Sequence, residues 1–320
     1  MSKIKCAVIG VGYLGRFHAQ KYQMIDNATL VAICDLNANA CETISRELNV
    51  PAFMNYRDLF GQVDAVSIAA TTNEHYTIAR ECLLQGIHVL IEKPITETVE
   101  QAEELIAIAS EKGVKLQVGH LERFNAARLA LDPYLNTPLF IDSQRLAPFT
   151  PRGADVNVIL DLMIHDIDII QTIVKSPIVS IDAQGAPILS GAIDIANARI
   201  TFENHCVANV IASRISFKTE RKTRIFQPTS YISIDYHKKQ FAVFEKGDGE
   251  MFPGIPNVTH VESIFEKGDA LLDEVNAFTQ CIIDNTTPLV TGQEGREALA
   301  TASKITALID ANLRSRHAAA

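Results

Sequence analysis

The stretch Lys3-Ile4-Lys5-Cys6-Ala7-Val8-Ile9-Gly10-Val11-Gly12-Tyr13-Leu14-Gly15 decides the fold. Lys3–Ile9 reads as a strand, apolar first in alternation and then continuously, and G-x-G-x-x-G follows it at once. A helix is expected to continue through Arg16–Gln23. The first glycine permits a tight turn, the second lets backbone approach a pyrophosphate, and the third lets helix and strand pack closely. The phosphates then meet the free amides of a helix amino terminus. Gly10, Gly12, Tyr13, Leu14 and Gly15 are therefore expected to bind the cofactor. The next strand, Thr29–Cys34, ends on Asp35, twenty residues beyond Gly15. An acid there accepts from ribose hydroxyls and repels a 2′-phosphate, so NAD is expected rather than NADP.

The pattern outward from this unit is that of a wound α/β domain. A helix over Ala38–Leu48, a short strand at Ala52–Phe53 and a helical turn at Tyr56–Leu59 precede a buried strand, Ala65–Ala69. Thr71-Thr72-Asn73 follows, small polar residues able to cap a helix over Tyr76–Gln85 and to face the cofactor side of the sheet. Ile87, Val89, Leu90 and Ile91 make the next buried strand, which stops on Glu92-Lys93-Pro94. Proline cannot extend the ladder, and ligands of open parallel sheets bind outside the carboxyl ends of the strands. Taken alone, Glu92 and Lys93 read first as an ion pair at a strand end. With a dinucleotide expected over the same sheet edge, Lys93 becomes a candidate active-site lysine. A helix over Thr98–Lys112 and a strand over Val114–Val118, ending at Gly119-His120, complete the series.

The chain thus predicts an amino-terminal doubly wound parallel sheet over residues 1–121. A second domain over 122–320, of α+β class, follows with a large, mostly antiparallel, open sheet. After a helical Leu121–Ala130, strands dominate: Phe140–Arg145, Ile178–Ala186, Ile193–Phe202, Cys206–Ser213, Lys222–Gln227, Tyr231–Asp235 and Gln240–Glu245. Helices are expected at Val158–Val174, Gly268–Ile283 and Gly295–Leu313, the last packing back on the first domain.

A chain of 320 residues can hold two cores. Its net charge of -9 argues against a nucleic-acid surface. Six scattered cysteines without metal-ligand spacing suggest reduced thiols of a cytoplasmic protein, and no metal site is expected. Met1–Lys5 runs directly into a strand, so no signal peptide is expected, and no apolar run is long enough for a membrane helix.

The expected helix Val158–Val174 is strongly apolar yet carries Asp161 and His165, four residues apart and so on one helical face. They read either as a satisfied core histidine with its carboxylate or as a base beside a residue that positions a hydroxyl.

The glycine loop, Glu92-Lys93-Pro94, Gly119 followed by Arg123-Phe124, and Asp161-x-x-x-His165 occur in this order and at these intervals. Together they resemble the glucose-fructose oxidoreductase / inositol dehydrogenase / MocA family along essentially the whole chain. The resemblance implies a Rossmann domain, NAD(P)-dependent oxidation of a sugar or cyclitol hydroxyl, and homodimers or homotetramers assembled through the carboxy-terminal sheet. It also implies that Thr71, Asn73 and His75 line the nicotinamide side, that Glu92 is a cofactor-side acid, and that Lys93, Asp161 and His165 complete the catalytic site. The segments Gly119–Asn125, Leu160–Asp168 and Arg224–Pro228 are similar to the branch acting on UDP-N-acetylglucosamine at carbon 3. Such a substrate brings a diphosphate, for which Arg123, Arg145, Arg152 and the Lys218–Arg224 run are candidate cations. That run reads first as a solvated hairpin tip with charged edges.

Overall fold

The computed structural model describes residues 3–150 and 156–319, with side chains described as far as residue 316. Two compact units divide the chain, Met1–Phe124 with Asp269–Leu299, and Asn125–Gly268 with Ala300–Ala320. The chain therefore returns to its first unit at 269–299, where the sequence reading has an unbroken second domain over 122–320.

The first unit alternates strand and helix: β1 (Ile4–Ile9), α1 (Tyr13–Tyr22), β2 (Ala28–Cys34), α2 (Ala38–Leu48), β3 (Ala52–Phe53), β4 (Ala65–Ile68), α3 (Thr72–Leu84), β5 (His88–Glu92), α4 (Val99–Lys112) and β6 (Leu116–Gly119). A 3₁₀ turn at Tyr56–Leu59 lies between β3 and β4. Its strands order as β3-β2-β1-β4-β5-β6, with every pairing parallel. The strand order reverses direction beside β1, which is where ligands of such sheets bind. Local chemistry sets the helix ends. Thr98 and Gln101 form a reciprocal capping box at the start of α4, and Gly113, with φ +68°, ends it.

α7 (Ala270–Ile283) joins this unit because its apolar stripe has a core to fill. Leu271, Val275, Phe278 and Cys281 pack in one cluster with Cys6, Val8, Ala19, Tyr22 and Leu90. The chain at Val290–Thr291 then pairs with β6, Val118 donating to the Val290 carbonyl at 3.1 Å. α8 (Gly292–Ala319) starts there and ends in the second unit.

After a 3₁₀ turn at Leu121–Phe124, the second unit opens with α5 (Ala126–Leu129). The single helix expected over Leu121–Ala130 is broken at Asn125, whose side chain caps α5 by accepting from the Ala127 amide. Eight strands follow: β7 (Phe140–Leu146), β8 (Ile178–Ala186), β9 (Ile195–Phe202), β10 (Val207–Ser213), β11 (Glu220–Phe226), β12 (Ser230–Asp235), β13 (Gln240–Phe252) and β14 (Ile255–Ile264). The sheet order is β14-β13-β12-β11-β7-β10-β9-β8. Among the described residues, β7 with β10 is the one parallel pair of this sheet. β14 escapes sequence reading because it is an edge strand almost wholly exposed, with Pro256 in it, so no apolar alternation marks it.

The helix expected over Val158–Val174 is in two parts. Ile159–Met163 forms a π turn, and α6 (Ile164–Val174) continues as a regular helix. α6 packs on β7 and β10, where Arg145 and Asp166 make a buried ion pair at 2.7 Å. Five aromatic rings cross β7, β11, β12, β13 and β14 in sequence: Phe140, Phe226, Tyr231, Phe244 and His260. Phe226 and Phe244 in that row are exposed.

Candidate active site

The three loop glycines answer three separate demands. Gly10 has φ +84°, and a Cβ there would come within 2.6 Å of the Ala70 amide nitrogen. A Cβ on Gly15 would lie 1.8 Å from the Gly10 carbonyl oxygen, so α1 can rest on the turn only as glycine. Gly12 is different, since a Cβ there meets nothing within 4 Å. That open space, at the amino terminus of a ten-residue helix, is the cradle a pyrophosphate fits. Tyr13 begins α1 and is exposed, edge-on to Phe17 at 5.2 Å.

Asp35 does more than the sequence reading asks. One carboxylate oxygen accepts the Val11 amide at 2.7 Å and the other the Asn37 amide at 2.8 Å. The acid at the end of β2 thus also ties down the glycine loop. Each oxygen keeps a lone pair for a ribose hydroxyl. The residues present fit a dinucleotide with an unphosphorylated ribose.

Thr71 is the N-cap residue of α3, and Asn73 is exposed in its first turn. His75 is buried, with Nδ1 2.9 Å from the Pro94 carbonyl and Nε2 3.1 Å from the Ala70 carbonyl. Its ring braces the start of α3 against the end of β5. Burial pushes its pKa down, against the pull of those carbonyls.

Lys93 follows β5 directly, half-buried, with a cis bond to Pro94. Glu92, expected as a cofactor-side acid, turns its carboxylate inward and is 8% exposed. One oxygen meets His18 Nε2 at 2.9 Å, and the other accepts the Lys93 backbone amide at 3.3 Å.

In the second unit Asp161 stands within the π turn and His165 in the first turn of α6, both half-buried. A π turn closes bonds one residue wider than an α turn, and here it covers Asp161 and ends at Met163, before His165. Asn157 starts the turn, its side chain accepting the Leu160 amide at 2.9 Å.

Two expected substrate cations are committed inside the fold. The Arg123 guanidinium is buried and donates to the Leu289 carbonyl at 3.0 Å and to Glu294 at 3.1 Å. Arg145 is buried against Asp166. Arg152 lies outside the described residues. In the Lys218–Arg224 run, Lys218 pairs with Glu220 at 2.6 Å and Arg224 with Asp142 at 2.9 Å.

Comparison with known proteins decides the family. Residues 4–120 match the model of an oxidoreductase family with an NAD-binding Rossmann fold, and residues 139–229 the GFO/IDH/MocA carboxy-terminal domain. The chain is 36% identical over 315 residues to the UDP-N-acetylglucosamine 3-dehydrogenase of Acidithiobacillus ferrooxidans, covering 98% of this chain and 100% of that one.

The chain belongs to the Gfo/Idh/MocA family.

A solved structure of the same A. ferrooxidans enzyme superposes with a TM-score of 0.90 at 35% identity, covering 97% of this chain and 99% of that one. The scyllo-inositol 2-dehydrogenase of Bacillus subtilis is 26% identical over 309 residues, covering 90% of this chain and 89% of its own. As a Gfo/Idh/MocA protein the chain is an NAD-binding oxidoreductase acting on CH–OH groups. No described helix is long and apolar enough to cross a membrane.

The sequence reading of this family member missed one group. His18 on α1, Glu92 at the end of β5 and Glu274 on α7 bring ligand-capable atoms within 4.8 Å of one another, all buried. Two carboxylates at that spacing repel by roughly 3 kcal/mol at an effective dielectric near 20. Burial, and then the charge of Glu92, push the Glu274 pKa well up. A signal was present in the sequence: Glu274 sits three residues after Leu271 and four before Phe278, on the apolar stripe of α7.

Proposed function

We propose that this chain oxidises the carbon-3 hydroxyl of UDP-N-acetylglucosamine to the 3-keto sugar nucleotide, as a cytoplasmic step in making cell-envelope sugars such as those of lipid A. The observation that carries the reading is 36% identity over the whole length of a UDP-N-acetylglucosamine 3-dehydrogenase. The inositol 2-dehydrogenase relative stands at 26%.

Gly10, Gly12, Tyr13, Leu14, Gly15 and Asp35 hold the cofactor, with Thr71, Asn73 and His75 along the nicotinamide side. When bound, NAD supplies the hydride acceptor. The chain's own residues orient the sugar and manage one proton. Lys93 holds the reacting hydroxyl and stabilises negative charge growing on its oxygen. His165 takes the proton as general base, and Asp161 accepts from a neighbouring hydroxyl and orients the imidazole. With Arg123 and Arg145 buried within the fold, Arg152 and the more exposed Lys218–Arg224 run are the candidate cations for the diphosphate. The row of aromatics across β7 and β11–β14 supports a homodimer or homotetramer formed through the open sheet face.

Purified protein incubated with NAD and, separately, UDP-N-acetylglucosamine, myo-inositol and free hexoses tests the proposal. The expected result is NADH formation with the sugar nucleotide alone and a product lighter by two hydrogens. Oxidation of myo-inositol without turnover of the sugar nucleotide makes the chain a cyclitol dehydrogenase. NAD binding without turnover of any substrate makes it a cofactor sensor.

A further inference from the structure

Beneath the Lys93 turn, the first unit buries a cluster of polar groups. His18 is 1% exposed, Glu92 8% and Glu274 0%. The site is built for a carboxylate at position 92. A Cβ on Gly119, the residue paired with Glu92 across β5 and β6, would fall 2.9 Å from the Glu92 carboxyl carbon. Glycine there makes the seat. The seated carboxylate receives His18 Nε2 on one oxygen and the Lys93 amide on the other.

Glu274 is supplied differently. Neither of its carboxyl oxygens has a hydrogen-bond partner among the described residues. Gln117 approaches it, but gives its side-chain N–H to the Glu274 backbone carbonyl at 3.3 Å. Among the described residues, the titratable groups around the cluster include Tyr22 on α1, His75 on α3, Lys93 beyond β5 and His120 beyond β6. Tyr22 is itself bonded to Ser67 at 2.8 Å.

We infer that Glu274 is held as a neutral carboxylic acid, that the cluster carries one negative charge on Glu92, and that Glu92, His18 and Glu274 together position Lys93. Two buried carboxyl groups this close cannot both ionise. Hydrogen bonds from donors favour the charged form, and they go to Glu92. A buried carboxylate with no donor bears the whole desolvation cost, which the acid form escapes. His18 contributes as the Nε2–H tautomer, donating to Glu92, since its Nδ1 has no acceptor among the described residues. A metal ion is the competing occupant of such a trio. Tetrahedral zinc holds adjacent ligand atoms about 3.3 Å apart, whereas His18 Nε2 and Glu92 Oε1 are at 2.9 Å, a direct hydrogen bond. The consequence falls on the next residue. Glu92 pins the Lys93 backbone by accepting its amide at 3.3 Å, which fixes where the Lys93 side chain starts. Only this last part rests on the proposed role of Lys93.

Glu274→Gln keeps the shape of the acid and cannot ionise, so thermal unfolding of the full chain reads the charge state without any substrate. An acid whose folded pKa is raised contributes stability that is complete below its unfolded value, about 4.3, and is lost as pH rises toward the folded value. Between about pH 5 and pH 8 the variant should therefore gain about 3 °C or more on the wild type. A difference independent of pH, or one growing in favour of the wild type, overturns the inference. So does a rise in Tm with added zinc that the wild type shows and Glu274→Gln lacks. The positioning role is read with Glu92→Gln: kcat should fall about tenfold or more, with KM for NAD within about twofold. A kcat unchanged from the wild type, or a fall in kcat matched by an equal loss of NAD affinity, overturns the positioning role. Absence of turnover in the wild type would instead count against the proposed substrate, leaving the unfolding result intact.

Discussion

The Glu92 carboxylate lies where a side chain at position 119 would be: a Cβ on Gly119 would stand 2.9 Å from both its carboxyl carbon and one of its oxygens. Gly119→Ala must push that carboxylate off its seat and disturb its contact with His18. Overpacking of this kind costs about 1–3 kcal/mol, to be read by urea unfolding. Turnover should fall with the stability, because the Lys93 amide shares the displaced carboxylate. Wild-type stability and turnover in this variant would show that the seat has slack.

Lys93→Met removes the ammonium group while keeping an unbranched stem. Turnover should drop by about 10²–10⁴-fold, with NAD affinity, measured by titration, essentially retained. Turnover close to that of the wild type would remove Lys93 from the mechanism.

Asp35 carries both cofactor preference and loop order. Asp35→Asn removes the charge that repels a 2′-phosphate but keeps one acceptor for the two amides of Val11 and Asn37. The ratio of kcat/KM for NADP to that for NAD should rise about tenfold, some 1.4 kcal/mol. A fall for both cofactors alike would assign the acid to loop order alone.

His120 is pushed down to about 3, by burial first and then by the positive charges of Lys93 and Arg123. A histidine whose folded pKa is lowered takes up protons more readily when unfolded, at about 6.5. Its contribution is thus complete above that value and lost as pH falls from there toward 3. Near pH 5 the loss amounts to roughly 2 kcal/mol. Urea unfolding of the wild type at pH 7 and near 5 should show it, and His120→Gln should flatten the difference. Parallel curves would mean that His120 titrates alike in both states.

Phe226 sits mid-row among the exposed-face aromatics, 5.8 Å from Phe140 and 5.0 Å from Tyr231. Phe226→Asp places a charge in the proposed interface, and sedimentation should show a shift toward monomer. An unchanged mass would place assembly elsewhere.

By itself the sequence determined whatever a short run of chain can demand. Gly10, Gly12 and Gly15 follow from local backbone needs, and Asp35 from strand length. The wound order of β1–β6 follows from strand and helix periods, and the chain's motifs carried the family. Tertiary structure alone decided the destination of the charges. Arg123 reads in sequence as a candidate cation for the substrate diphosphate, but Glu294, 171 residues away, is folded against it. Arg145 was likewise claimed by Asp166 from α6. Glu92 looked like one half of a strand-end ion pair, yet its partner is His18, 74 residues earlier in the chain. β14 left no apolar pattern because its ladder with β13 holds it, and burial does not. Backbone demands are written locally, whereas the cost of burying a charge is offset by groups from distant segments, and only the folded chain says which.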